Sequence, residues 1–98
     1  MLLLGIKPNF FKLPINKDGD LDLHRFSVSI ALGYVYLFLT MTEERVVRVI
    51  TGKGKHSPNG QAKIKPAVEK FLLRNGYSFQ EAPESQGGKG ALIIFLKK

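Results

Sequence analysis

The chain contains neither cysteine nor tryptophan. Without cysteine, neither a disulfide framework nor a thiolate metal site can form, and nothing in the sequence points to an oxidising compartment. Acidic residues are also scarce, since 8 Asp and Glu stand against 15 Lys and Arg, and the formal net charge is +7. Such an excess favours a polyanionic partner, nucleic acid first and an anionic membrane surface second.

The sequence also lacks a hydrophobic run long enough to span a membrane. Residues 1–6 are apolar, but they have no basic leader and stop at Lys7-Pro8, too soon for a secretory signal. Residues 26–42 carry no charge but fall short of the usual spanning length, so we expect a buried helix there.

We expect an intracellular protein, cytoplasmic or nuclear, that is a monomer or a domain of a larger protein. An amino-terminal arm over residues 1–19 would precede one domain over residues 20–98.

Hydrophobic periodicity predicts the element order β-α-β-α-β-β. Alternation around Leu21 and Leu23 indicates a short strand with one buried side. Ser27 suits the start of a helix, while Pro66 and Gly76 suit the first turn and the end of another. The glycine-rich connection before the last strand is expected to be flexible. The predicted strands cover residues 20–24, 45–50, 77–81 and 91–96, and the predicted helices cover about 28–41 and 63–75.

This order predicts an α/β (α+β) two-layer sandwich, a mixed four-stranded sheet with both helices on one face. The two β-α-β units should each give parallel neighbouring strands, and the last two strands should form a hairpin. The carboxyl ends of the first two strands, at His24 and Thr51, should then meet at one edge of the sheet, where open α/β sheets bind ligands.

Residues 50–57 read Ile-Thr-Gly-Lys-Gly-Lys-His-Ser, a strand running into a glycine-rich loop shortly before a helix. Such loops cradle phosphates with backbone amides, and here Lys53 and Lys55 add full positive charges. A simpler interpretation is a solvated basic turn. The spacing fits neither a Walker loop nor a dinucleotide-binding loop, so nucleotide-cofactor enzymes are set aside.

Asp22 and His24 lie two apart on the first predicted strand, so their side chains share a face about 7 Å apart. A carboxylate beside an imidazole can orient the ring and hold its tautomer for proton transfer. With Lys53 and the backbone of Gly52 and Gly54 opposite, the pair could cleave a phosphodiester bond. The alternative is that Asp20, Asp22 and His24 form only the solvated face of a strand, and they are too few for a convincing metal site.

Further basic residues, Arg45 and Arg48 among them, cluster around this loop, with few aromatic residues between them. That pattern favours phosphate binding and recognition by shape over stacking on single strands. The catalytic candidates are Asp22, His24 and Lys53, and the nucleic-acid-binding candidates are Arg25, Thr51, Gly52, Gly54, Lys55, His56, Lys63, Lys65 and Lys89.

The motif Leu21-Asp22-Leu23-His24, the motif at residues 50–54 and the glycine-rich turn before the final strand together resemble the Smr (small MutS-related) domain. Residues 50–68 are particularly similar to Smr domains of eukaryotic proteins. The resemblance implies the fold of the carboxyl-terminal domain of a bacterial translation initiation factor. It also implies nucleic-acid binding and, in many members, endonuclease activity on DNA or on RNA, including messenger RNA on stalled ribosomes, in DNA repair or RNA quality control.

The sequence departs from the family pattern at Arg25, where Gly is usual, and carries Lys53 where Arg is frequent. The region between the motifs is also shorter and more apolar than usual. We expect an endonuclease that hydrolyses phosphodiester bonds of DNA or RNA with no required cofactor, although a divalent cation such as Mg stays open. The alternatives are a non-catalytic RNA- or ribosome-binding module of the same fold and a membrane-peripheral domain.

Overall fold

A computed structural model describes residues 12–52 and 63–97 of the chain. The predicted order of elements is confirmed, and both helices lie within one or two residues of their predicted bounds. The strands are shorter than predicted, by three residues in β1 and by one residue in each of β2, β3 and β4. The elements are β1 (Leu21–Asp22), α1 (Val28–Met41), β2 (Val46–Ile50), α2 (Ile64–Arg74), β3 (Ser78–Glu81) and β4 (Ala91–Phe95).

The sheet has the strand order β1-β2-β4-β3. β1 and β2 are parallel, with Asp22 opposite Ile50, and β4 runs antiparallel to both of its neighbours. The expectation of two parallel neighbouring pairs is therefore wrong for the second unit, because β4 lies between β2 and β3. The physical reason is polarity: β4 buries Leu92 and Ile94 completely, whereas β3 is mostly exposed and suits the edge.

Both helices pack on one face of the sheet, as predicted. Alternate residues of β2 and β4 point to this face and share one apolar cluster with the inner sides of α1 and α2. The buried members from these four elements are Ala31, Val35, Phe38, Leu39, Val47, Val49, Val68, Leu72, Leu92 and Ile94.

α1 is buried along one side only, which differs from the expected buried helix. Ser27 caps its amino end, where the side-chain oxygen accepts a hydrogen bond from the Ile30 amide at 3.4 Å. Ile30 and Tyr36 are 52% and 57% exposed on the outer side. Among the described residues, no helix has both the length and the hydropathy needed to cross a membrane.

The segment before β1 folds back on it. Ile15 pairs antiparallel with Leu21, and Leu13 packs against the core. Residues 17–19 make the predicted turn, with Gly19 at φ +85°. Residues 1–11 lie outside the described part of the chain, so the predicted boundary between arm and domain stays a prediction.

The connection before β4 is folded rather than extended. It consists of two short 3-10 turns, Glu84–Gln86 and Gly88–Gly90. Gly87 and Gly88 both have positive φ, and a Cβ on Gly87 would lie 2.8 Å from the Ala91 Cβ. Glycine therefore suits this compact path at both positions, and the expected flexibility of the connection stays a prediction.

Candidate nucleic-acid interface

The two polar motifs meet where β1 and β2 end. The Leu23 amide donates a hydrogen bond to the Ile50 carbonyl at 2.8 Å, which extends the parallel pairing past β1. Gly52 has φ +83°, and a Cβ there would lie 2.9 Å from the His24 Cβ. Only glycine permits this approach, so the Gly52 backbone lies directly against His24.

Asp22 holds the ring of His24. The His24 Nδ1 lies 2.5 Å from Asp22 Oδ1, and the His24 backbone amide donates to the same oxygen at 3.3 Å. Because an ionised carboxylate only accepts, Nδ1 carries the proton and the lone pair of the neutral ring is on Nε2. The two side chains are 48% and 25% exposed, so the ring is accessible from solvent.

Asp20 has a different environment although it is two residues from Asp22. Its Oδ2 accepts from Arg48 Nε at 2.9 Å and from Arg48 Nη2 at 2.5 Å, and the residue is 7% exposed. These hydrogen bonds raise the pKa of the Arg48 guanidinium above its ordinary value. The alternative in which Asp20, Asp22 and His24 form only a solvated face is therefore wrong for Asp20, because a cation on the adjacent strand covers it. Arg48, in turn, is paired within the protein.

The turns before β4 add a third element to this edge. The Gly90 carbonyl accepts hydrogen bonds from the amides of both Thr51 and Gly52, at 2.9 and 3.0 Å. These two amides therefore donate within the protein, and the expectation that the Gly52 backbone holds a phosphate stays a prediction. Thr51 is 4% exposed, and its hydroxyl has no hydrogen-bond partner within the described residues. Lys89 is exposed next to Gly90.

The amino end of α2 carries Lys63 and Lys65. Lys63 is exposed at the cap position, and the first turn contains no acidic residue. Lys65 forms an ion pair with Glu81 at the end of β3, and this hydrogen bond lowers the pKa of Glu81. Lys65 is thus engaged within the protein, whereas Lys63 is open to solvent beside the positive end of a helix dipole.

Arg25 lies in the turn between β1 and α1 and is exposed. Its φ is not positive, so arginine replaces the family's glycine without backbone strain. The described ranges hold no group of three His, Cys, Asp or Glu side chains suited to a metal ion. Four further candidates lie outside the described residues, and their roles stay predictions: Lys53, Gly54, Lys55 and His56.

The chain is similar in sequence to a known protein family and to proteins from human and yeast. A family model described as the Smr domain matches residues 21–97. Human NEDD4-binding protein 2 is 39% identical over 99 residues, which cover 93% of this chain and 5% of that protein. The yeast (Saccharomyces cerevisiae) protein named Endonuclease NBR9 is 33% identical over 85 residues, which cover 84% of this chain and 34% of that protein. The chain thus spans a small part of these curated relatives.

One solved structure matches most of this chain and nearly all of its own length. The crystal structure of the Smr domain of Thermus thermophilus MutS2 superposes with a TM-score of 0.71 at 26% identity. The match covers 81% of this chain and 98% of that one. The two helices and the mixed four-stranded sheet described above are therefore those of an Smr domain.

Proposed function

The chain belongs to the Smr domain family, and from that membership we propose that it binds nucleic acid and cleaves its phosphodiester bonds as an endonuclease. The Asp22–His24 pair carries the proposal, because it forms a solvent-accessible acid–base group against Gly52 at the edge where three strand ends converge. The name of the yeast relative is consistent with it.

His24 is the proton-transferring group in this proposal. Its Nε2 lone pair takes the proton of the attacking hydroxyl, either of water or of a ribose, as the new P–O bond forms and the leaving oxygen departs. Asp22 holds the Nδ1 proton and stabilises the imidazolium that results. The imidazolium then returns its proton, directly or through solvent, to the leaving oxygen.

Cations at the same edge bind the phosphates. Arg25, Lys63 and Lys89 are exposed there, and the sequence adds Lys53 and Lys55 between β2 and α2. A guanidinium suits two-pronged contact with a phosphate, and the ammonium groups act as point charges. The proton transfer assigned to His24 does not require a metal, so we propose that a chelator leaves most of the activity. An intracellular site of action, in the cytoplasm or nucleus, belongs to the same proposal.

Replacing the proton-transferring group tests the proposal. We expect His24→Ala to lower the cleavage rate on supercoiled DNA or structured RNA by about 10²–10⁴-fold, the usual share of one general acid–base group. Nucleic-acid affinity should stay close to that of the parent, because the lysine and arginine side chains around the site supply most of its positive charge. Asp22→Asn should act in the same direction, since an amide cannot stabilise the imidazolium. Asp18→Asn is the matched control, because Asp18 is an exposed turn residue.

A His24→Ala protein that cleaves as fast as the parent would show that the assignment is wrong. One observation favours a second function, a binding module without catalysis: bulky Arg25 follows His24 directly where the family usually has glycine. If the parent protein binds RNA or DNA but cleaves none of the substrates tested, the binding module is the correct function.

A further inference from the structure

The two turns before β4 are attached to the sheet at both of their ends. At one end, the Gln86 carbonyl accepts a hydrogen bond from Arg48 Nη1 at 3.1 Å. At the other, the Gly90 carbonyl accepts from the amides of Thr51 and Gly52. Lys89 lies between these attachments, so its backbone position is determined by both.

Arg48 can reach the Gln86 carbonyl because Asp20 fixes the rest of its guanidinium. Nε and Nη2 both donate to Asp20 Oδ2, which leaves Nη1 directed at the turn. The Asp20 side chain is 10% exposed and that of Arg48 is 27% exposed, so solvent competes weakly for these groups. A planar fork is required, since the single nitrogen of a lysine cannot serve both partners in this geometry.

We propose that Arg48, held by Asp20, is a positioning residue that seats the glycine turns on the sheet and thereby holds Lys89 as the ligand of a phosphate flanking the scissile one. This role rests on the proposed function. Arg48 acts through Lys89 because its own charge is neutralised by Asp20.

The strand order explains why the phosphate is a flanking one. β2 separates β1 from β4, and adjacent strands lie about 4.8 Å apart, so Lys89 begins about 10 Å from β1, which carries Asp22 and leads into His24. A nucleic-acid strand that crosses this edge with one phosphate at His24 brings a neighbouring phosphate towards Lys89.

The first test needs no nucleic acid. Arg48→Lys retains a cation for Asp20 but loses the fork that also reaches Gln86. Hydrogen exchange at the Thr51 and Gly52 amides, which donate to Gly90, should then accelerate about tenfold or more, as expected for loss of a hydrogen bond to a charged group. Exchange at α1 amides that open locally should stay near the parent values, and the urea midpoint should fall by no more than the lost hydrogen bond contributes. Unchanged exchange at Thr51 and Gly52 would overturn the proposal.

Two further variants keep this test decisive. Gln86→Ala is the matched control, because Arg48 binds the backbone carbonyl of Gln86 and the exchange rates should not change. Should Arg48→Lys fail to fold, Asp20→Asn retains an acceptor of the same shape but removes the charge that fixes Arg48. The same acceleration at Thr51 and Gly52 is expected for it, and its absence would count against the proposal equally.

The second test measures binding to a duplex DNA and to a structured RNA by a double-mutant cycle. Lys89→Ala should weaken binding in the parent and have a clearly smaller effect in the Arg48→Lys background. There the turn no longer holds Lys89 in place, so the lysine contributes less binding energy that its removal could take away. Equal effects in both backgrounds would show that Arg48 does not position Lys89. A parent protein that binds neither nucleic acid would refute the proposed function and the flanking-phosphate role together, while the exchange result would still show whether Arg48 seats the turns.

Discussion

Gly52 is the residue on which the contact between the two strand ends depends. Its positive φ is costly for any residue with a Cβ, and a Cβ would also approach His24 to 2.9 Å. The second cost is separable from the first because Gly76 has a similar φ of +77° with open space where its Cβ would be. The structure therefore offers two glycines of similar φ, of which only Gly52 is crowded at the Cβ position.

We expect Gly52→Ala to lower the free energy of unfolding by about 1–3 kcal/mol, the usual cost of a strained backbone position, and to impair cleavage by displacing His24. Gly76→Ala should show the backbone cost without the loss of activity. Gly33→Ala, in the middle of α1 with open space and ordinary φ, should instead stabilise the protein by about 0.5–1 kcal/mol. Urea unfolding and a cleavage assay on the three variants measure these effects. Normal activity in Gly52→Ala would contradict the close packing of His24.

Between elements, the ion pair of Lys65 with Glu81 joins the first turn of α2 to the end of β3. β3 is an edge strand whose residues are mostly exposed, so it has few apolar contacts to hold it. The hydrogen bond from Lys65 lowers the pKa of Glu81 below its ordinary value. The pair therefore stabilises the fold above the ordinary glutamate pKa, and this contribution is lost as the pH falls through the lower folded-state value.

We expect Glu81→Gln to have a lower urea midpoint than the parent at about pH 6, with the difference shrinking as the pH falls below about 4.3. The difference between the two proteins isolates this carboxylate from the others that titrate in the same range. For Lys65→Met, the difference in urea midpoint from the parent should shrink over the same pH range, because this change removes the other partner of the ion pair. A difference that stays constant down to about pH 3 would mean that the pair does not contribute through the ionisation of Glu81.

For the whole molecule, the net charge of +7 matters less than where the cations lie. Lys63 and Lys89 are exposed at the edge that carries the Asp22–His24 pair. Arg45 and Lys97 are equally exposed at the opposite edge, where β2 begins and β4 ends. The two pairs allow the position of charge to be tested at constant total charge.

The double change Lys63→Glu, Lys89→Glu lowers the net charge from +7 to +3, and so does Arg45→Glu, Lys97→Glu. We expect the first to weaken nucleic-acid binding strongly and to reduce the slope of log affinity against log salt by about 0.9 for each phosphate that the protein no longer neutralises. The Arg45→Glu, Lys97→Glu protein should show only small changes in affinity and in the salt slope. Fluorescence anisotropy over a range of salt concentrations measures them, and equal losses of affinity in the two proteins would mean that binding follows total charge alone.

The fold was largely predictable from local signals. Ser27, Pro66 and Gly76 predicted the helix ends because caps, first-turn prolines and terminal glycines act within a few residues of the chain. Sequence also identified Asp22 and His24 as a pair, from an alternation that predicted a strand through residue 24. In the structure β1 ends at Asp22, and His24 lies in the turn that follows. The parallel pairing of β1 and β2 followed from the length of the connection between them.

Tertiary structure decided which polar groups are available, because partners distant in sequence compete for them. Asp20 and Asp22 look alike in the sequence, yet Arg48 pairs with Asp20 from the adjacent strand and leaves Asp22 to His24. Lys65 lies with the other cations in the sequence, but in the structure it forms an ion pair with Glu81 at the end of β3. The Thr51 and Gly52 amides are occupied by Gly90, since β4 takes the inner position that its apolar residues require. Composition and periodicity thus determined the elements and the two-layer architecture, whereas the strand order and long-range pairing decided which polar side chains are free to bind a ligand.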